Sequence, residues 1–179
     1  QPYKPKRRTR AQIAKEKGFE PLAECIWAGA AFEASDEDLQ FARDILAERI
    51  ADMAEVRGLV RNAFATKSVV KSEVASPKPT EPTKFEQYYE FEESITTIPS
   101  HRYLAIRRGQ KEGVLWVKLV LDAAPDIERM MELVEKAEGA GFDADERCRE
   151  QMQMAAEDAY KRLLAPSCEI DVTVEKKME

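Results

Sequence analysis

The strongest periodicity in the chain begins after Ser35. Leu39, Ala42, Leu46, Ile50 and Met53 recur at three- and four-residue steps, and Phe41 and Ile45 widen the same apolar face. That spacing predicts a helix with one side against a core. Asp36, Glu37 and Asp38 load its first turn, where negative charge suits the positive end of the helix dipole. Val56, Leu59, Val60, Ala63 and Phe64 predict further helix. Asp52 either divides the two segments or lies inside one long helix. Upstream, Thr9 is placed to cap a short helix reaching Lys17, with Gly18 as its stop. A second short helix, Pro21 to Gly29, carries its proline in the first turn, where no donor is lost.

Beyond residue 67 the pattern changes. Ser68–Val74 is short and β-branched and predicts a strand. Pro77, Pro79 and Pro82 make Ala75–Lys84 a loop. Phe85, Tyr88, Tyr89 and Phe91 are expected to tie the returning chain to the core. Ser100 is read as the cap of a helix that Gly109 ends, and Val114–Leu121 as a second strand broken only by Lys118. Two more helices follow. Ile127, Met130, Met131, Val134 and Ala137 mark the first, which Gly139 and Gly141 end. Cys148, Met152, Ala155, Ala156, Ala159 and Leu163 mark the second, which Pro166 stops or restarts. Met130, Met131, Met152 and Met154 read as core filler. Ser167–Glu179 stays ambiguous, because Val172, Thr173 and Val174 weaken helix. The expected class is mainly α, a helical array with a minor short β element. Along the sequence it divides into 1–66, 67–97 and 98–179.

A length of 179 residues fits one domain or two small ones, and 44% hydrophobic residues exclude disorder throughout. The net charge of -6 argues against a globally basic nucleic-acid binder. The charge is lopsided, however. Residues 1–17 hold seven Lys and Arg against Glu16, which leaves +6 there and -12 over the rest. Lys4, Lys6, Arg7, Arg8 and Arg10 are therefore candidate phosphate contacts. Pro2 and Pro5 would hold the segment extended along a backbone, and Tyr3 could stack on a base. The plainer alternative is that these cations pair with the acidic body or sit in water. Arg107 and Arg108, with Lys111, form a second basic feature. Its plainer reading is turn chemistry, with Gly109 and Gly113 supplying two backbone reversals.

Nothing in the chain spells out catalysis. His101 is the sole histidine, and the neighbouring Ser100 is better explained as a helix cap than as a nucleophile. Neither a GxSxG elbow nor a Gly-rich phosphate loop occurs. The acidic groups Asp36–Asp38 and Asp143–Glu146 lack the spacing of a calcium loop. Cys25, Cys148 and Cys168 are odd in number and show no CxxC pair, so neither a disulfide framework nor a zinc site is expected. They point to a reducing compartment. The expectation is no catalytic residue, no metal and no cofactor. No apolar run has the length of a membrane span, and no stretch reads as a signal peptide. The first residue is Gln1 rather than Met, so a piece of a longer protein is expected.

Four ordered blocks carry a resemblance. They are PYKPKRRTRAQIAKEKGFEPLA from Pro2 to Ala23, ARDILAERIAD from Ala42 to Asp52, IPSHRYLAIRRGQKEGVLWVKL from Ile98 to Leu119, and AYKRLLAPS from Ala159 to Ser167. In this order the chain resembles the Tex family of bacterial transcription accessory proteins, relatives of a eukaryotic transcription-elongation factor. The resemblance implies a long cytoplasmic parent chain. Its helical N-terminal region would contain a helix-turn-helix-like part. An RNase H-like domain regarded as non-catalytic would follow, then helix-hairpin-helix elements and an OB-fold RNA-binding domain. The present chain corresponds to the N-terminal and central helical region, short of the RNase H-like domain. The implied role is a non-catalytic scaffold, associated with RNA or DNA through its basic lead. Implied partners are nucleic acid, the transcription machinery and the remaining domains of the parent chain. The alternative is a pure packing or protein–protein module.

Overall fold

The computed structural model describes residues 7–179. Lys4 and Lys6 of the basic lead lie outside the described residues. In chain order the elements are α1 (Arg10–Glu16), α2 (Glu20–Ala28), α3 (Asp36–Ala51), α4 (Ala54–Lys67), β1 (Val69–Val74), β2 (Glu90–Ser94), α5 (Ser100–Lys111), β3 (Leu115–Val120), α6 (Ala124–Glu135), α7 (Glu146–Asp158) and α8 (Ala165–Lys177). Short 3₁₀ turns at Glu86–Tyr88 and Phe142–Ala144 and a π-helical turn at Ala159–Leu164 complete the set. The class is mainly α with one small antiparallel sheet, as expected. Packing divides the chain into two units, each discontinuous in sequence. The first joins residues up to Leu59 with Ala124–Leu164, and the second joins Val60–Ala123 with Ala165–Glu179. In this division α6 and α7 belong to the first unit and α8 to the second.

The first unit is organised around α3, on which α1, α2, α7 and the π turn all pack. Leu39, Ile45, Leu46 and Ile50 are buried there, and Ala42, Ala47 and Ala51 let neighbouring backbones come close. Each fully buried Leu or Ile contributes about 1.5–3 kcal/mol. Ser35 Oγ accepts from Asp38 N–H at 3.1 Å and starts the helix, while Asp52 closes it. Asp52 thus separates α3 from α4, which settles the two possibilities open in the sequence. Thr9 and Gln12 form a reciprocal capping box on α1, at 3.1 and 3.0 Å. Gly29 ends α2 with φ 77°, and it meets Gly141 backbone to backbone. There the Gly141 N–H donates to Trp27 C=O at 2.8 Å. A Cβ on either glycine would run into the other segment's backbone. Met130, Met131 and Met152 are buried core residues as expected, but Met154 is 42% exposed. It stands on the outer side of α7, where the helical period carries it away from Cys148, Met152 and Ala155.

The second unit holds the sheet, in strand order β2-β1-β3 with both pairs antiparallel. Three strands stand where the sequence suggested two, β2 being the addition. It is an edge strand with a single ladder, Lys71↔Glu92 and Ser72↔Phe91 among its pairs. Tyr88 meets Phe91 edge to face at 5.4 Å, and Ser72 Oγ donates to Tyr88 C=O at 2.7 Å. The aromatic cluster thus ties the chain down as expected and also starts a strand. Along β3, Leu115, Val117 and Leu119 are buried while Trp116, Lys118 and Val120 are exposed. Helix α5 packs on this strand.

Four readings of this unit are corrected. Ser100 does not cap α5: Pro99 occupies that position without a side-chain bond, and Ser100 is the first helical residue. Gly109 does not end the helix but lies buried inside it. A Cβ there would strike the Leu115 side chain, so the glycine serves close approach rather than a turn. The reversal belongs to Gly113, with φ 80°. Ser167–Glu179 is not ambiguous, since α8 runs through it to Lys177. Pro166 neither stops nor restarts the path from α7. In an α-helix its ring would press on the carbonyl of Arg162. The wider π turn at Ala159–Leu164 precedes it and relieves that clash.

Candidate nucleic-acid interface

The basic lead enters the first unit at α1. Arg7 and Arg8 precede the Thr9 cap, and Arg10 is the first helical residue. All three are exposed. A cation in the first turn opposes the helix dipole, and α1 has no acid there to offset it. Arg10 is therefore not explained by helix stability. Arg8 pairs with Glu16 on the same short helix, with side chains 62% and 52% exposed. Such a surface pair contributes little and weakens in salt. Among the described residues no carboxylate pairs with Arg7 or Arg10. Lys15 and Lys17 are exposed nearby in sequence, and Lys17 Nζ stands 4.9 Å over the Phe41 ring. That ring stacks on Phe19 at 4.9 Å, tying the turn between α1 and α2 to α3.

The second basic feature belongs to the other unit and splits in two. Arg107 turns inward. Its Nη2 donates to Glu169 Oε1 at 2.7 Å and to Tyr103 Oη at 2.8 Å, and its Nη1 donates to Gln110 Oε1 at 2.8 Å. Tyr103 is fully buried, and its hydroxyl also meets Thr173 Oγ1 at 2.7 Å. Burial opposes the charged guanidinium, but the bonds to Glu169 and Tyr103 prevail and leave its pKa raised. Arg107 thus fastens α8 to α5. Arg108 is exposed beside it, and Lys111 is exposed in the last turn, the end of a helix that favours cations. Glu112 pairs with Lys84 at 3.6 Å.

The remaining candidates are structural in placement. His101 is exposed in the first turn of α5. The hydrogen bond of that turn comes from Arg102, whose Nη1 donates to Glu93 at 2.9 Å. Asp36–Asp38 lie in the first turn of α3. Asp145 caps α7, accepting from Cys148 N–H at 3.0 Å, and that bond holds its carboxyl below the usual range. Asp143 pairs with Arg149. Burial, with Asp145 nearby, pushes the Cys148 thiol up to about 11. Among the described residues no cluster of His, Cys, Asp and Glu has the geometry of a metal site. No helix there is long and apolar enough to cross a membrane. The sequence did not mark Trp116, Ile170 and Val174 as apolar surface positions, yet they are 47%, 64% and 50% exposed. Only the strict alternation of β3 and the helical phase of α8 reveal them.

Residues 17–177 match the family model described as Tex central region-like. The chain is 42% identical over 138 residues to the protein named Protein tex of Bordetella pertussis, covering 68% of this chain and 17% of that protein. It is 42% identical over 137 residues to Protein YhgF of Escherichia coli, covering 68% and 18%. It is 40% identical over 132 residues to the Transcriptional accessory protein Tex of Neisseria gonorrhoeae, covering 66% and 17%. The chain therefore corresponds to less than a fifth of the length of these relatives.

Proposed function

The chain belongs to the Tex central region-like family, and on that premise we propose that it is a non-catalytic scaffold module of a Tex-type transcription accessory protein. In this reading it associates with RNA or DNA through the basic segment that leads into α1. One observation carries the reading: Arg7 and Arg10 are exposed cations without a carboxylate partner among the described residues. Arg10 also sits where the helix dipole disfavours it. Phosphate oxygens are the complementary ligand for such guanidinium groups. Arg108 is an exposed secondary contact, whereas Arg107 is engaged by Glu169 and serves packing. The partners are then nucleic acid, the transcription machinery and the other domains of the parent chain, in the cytoplasm. The scaffold part rests on the polar networks, which fix helices to one another rather than converge on a reacting atom.

The alternative, a packing or protein–protein module, is favoured by the Arg8–Glu16 and Arg107–Glu169 pairs. Fluorescence anisotropy of this chain with labelled single-stranded RNA and with duplex DNA at low salt decides between them. Saturable binding that weakens as salt rises is expected. Absence of binding to both would leave the packing module.

A further inference from the structure

The sheet of the second unit stops at β3, and its outer edge is only loosely covered. Leu119 N–H reaches Glu169 Oε1 at 3.4 Å, and Val117 C=O accepts from Gln110 Nε2 at 3.5 Å. Both lengths sit at the outer limit of hydrogen bonding. An uncovered strand edge is a template for another strand. Beside this edge runs an open groove of about 510 Å³ between Val117 and Gln110 on one side and α8 on the other. Helix α8 presents Pro166, Ile170, Val174 and Lys177 along the groove. From Pro166 to Lys177 this stripe extends about 17 Å at 1.5 Å per residue, the length of a strand of about five residues. Ile170 and Val174 are more than half-exposed or close to it, at 64% and 50%.

The charge around the groove is one-sided. Lys177 lines it and is exposed, and Lys118 is exposed on β3 itself. The one acid of the lining, Glu169, is bound to Arg107. The open charge is therefore positive, beside an apolar stripe and a strand edge. We propose that this groove is a strand-addition site for an extended, acidic–apolar peptide segment of a partner protein. The peptide's amides and carbonyls pair with the outer edge of β3, replacing the long bonds from Gln110 and Glu169. Its alternate side chains drop onto Ile170 and Val174, and the intervening acids lie near Lys118 and Lys177. Period-two alternation is what a strand supplies and a helix does not.

The test uses a fluorescein-labelled heptapeptide alternating glutamate and valine, titrated into this chain. Two further versions carry N-methyl groups on one or the other alternate set of amides. Only one set faces the β3 ladder. Saturable binding is expected, lost in one N-methylated version and kept in the other. Amide exchange at Val117 should slow on binding. Ile170→Asp with Val174→Asp should weaken binding at least about tenfold, the effect of losing two partly buried aliphatic contacts. These side chains are exposed, so the variant keeps the fold, and Lys177→Glu gives an independent, surface-only check. No saturable binding, or binding indifferent to which amides are methylated, overturns strand addition; the second result would mean a helical or collapsed occupant.

Discussion

Arg107 on α5 and Glu169 on α8 meet at 2.7 Å with side chains only 16% and 25% exposed. The carboxylate also reaches Leu119 N–H at 3.4 Å, so one acid joins two helices and a strand edge. Glu169→Ala leaves the guanidinium with Tyr103 and Gln110 alone. The expected loss is about 2 kcal/mol, the range for hydrogen bonds to charged groups. Urea unfolding checks it, with Arg102→Ala as the exposed comparison. An unchanged midpoint in Glu169→Ala would show that α8 is held by its apolar contacts.

Asp145 gives a pH-dependent contribution. Its carboxyl pKa is lowered by the Cys148 N–H bond. A depressed folded pKa stabilises the fold above the unfolded value of about 3.9. That contribution is lost as pH falls through the folded pKa. Asp145→Ala should therefore lower the Tm at neutral pH, and the gap to wild type should narrow as the pH of the measurement is lowered past the folded pKa. A gap that stays constant into strong acid would contradict the assignment.

The Gly29–Gly141 crossing predicts opposite outcomes for glycine substitutions. Gly29→Ala and Gly141→Ala push a Cβ into backbone, and each should cost about 2 kcal/mol or more. Gly58, inside α4, has nothing within 4 Å of a built Cβ. Gly58→Ala should stabilise by about 0.5–1 kcal/mol through helix propensity. Denaturant midpoints of the three variants separate the cases.

Thiol reactivity reads burial directly. Cys25 is partly exposed, while Cys148 and Cys168 are buried, and the Cys148 thiol is pushed up to about 11. At pH 8 Cys148 is almost wholly protonated and slow to react. A disulfide reagent should therefore modify Cys25 rapidly in the native chain and all three cysteines in denaturant. Rapid native labelling of Cys148, located by peptide mapping, would contradict the packing of α7.

Helix α3 was legible because its apolar face, Ser35 cap and acidic first turn all agree. Strand β2 was not: Glu90, Glu92, Glu93 and Ser94 are polar, and an edge strand needs only one ladder and one side against the core. Helix α8 was hidden by propensity. Val172 and Thr173 disfavour helix locally, yet Val172 is buried and Thr173 bonds Glu169 C=O at 2.9 Å and Tyr103 Oη at 2.7 Å. Tertiary packing overrides the weak local preference. Gly109 shows a different limit, since composition alone does not separate a glycine that turns from one that admits a neighbour. Among the candidate contacts, the basic lead was visible as a charge cluster. That Arg107 points inward and Arg108 outward depends on helix phase and on Glu169, 62 positions away in the chain.

The proposed role rests on Arg7 and Arg10 meeting phosphate. The most direct measurement is the slope of log affinity for single-stranded RNA against log salt, in this chain and in the Arg7→Ala, Arg10→Ala double variant. Two lost phosphate contacts predict a slope shallower by about 1.4. Identical slopes would contradict a nucleic-acid contact at the head of α1.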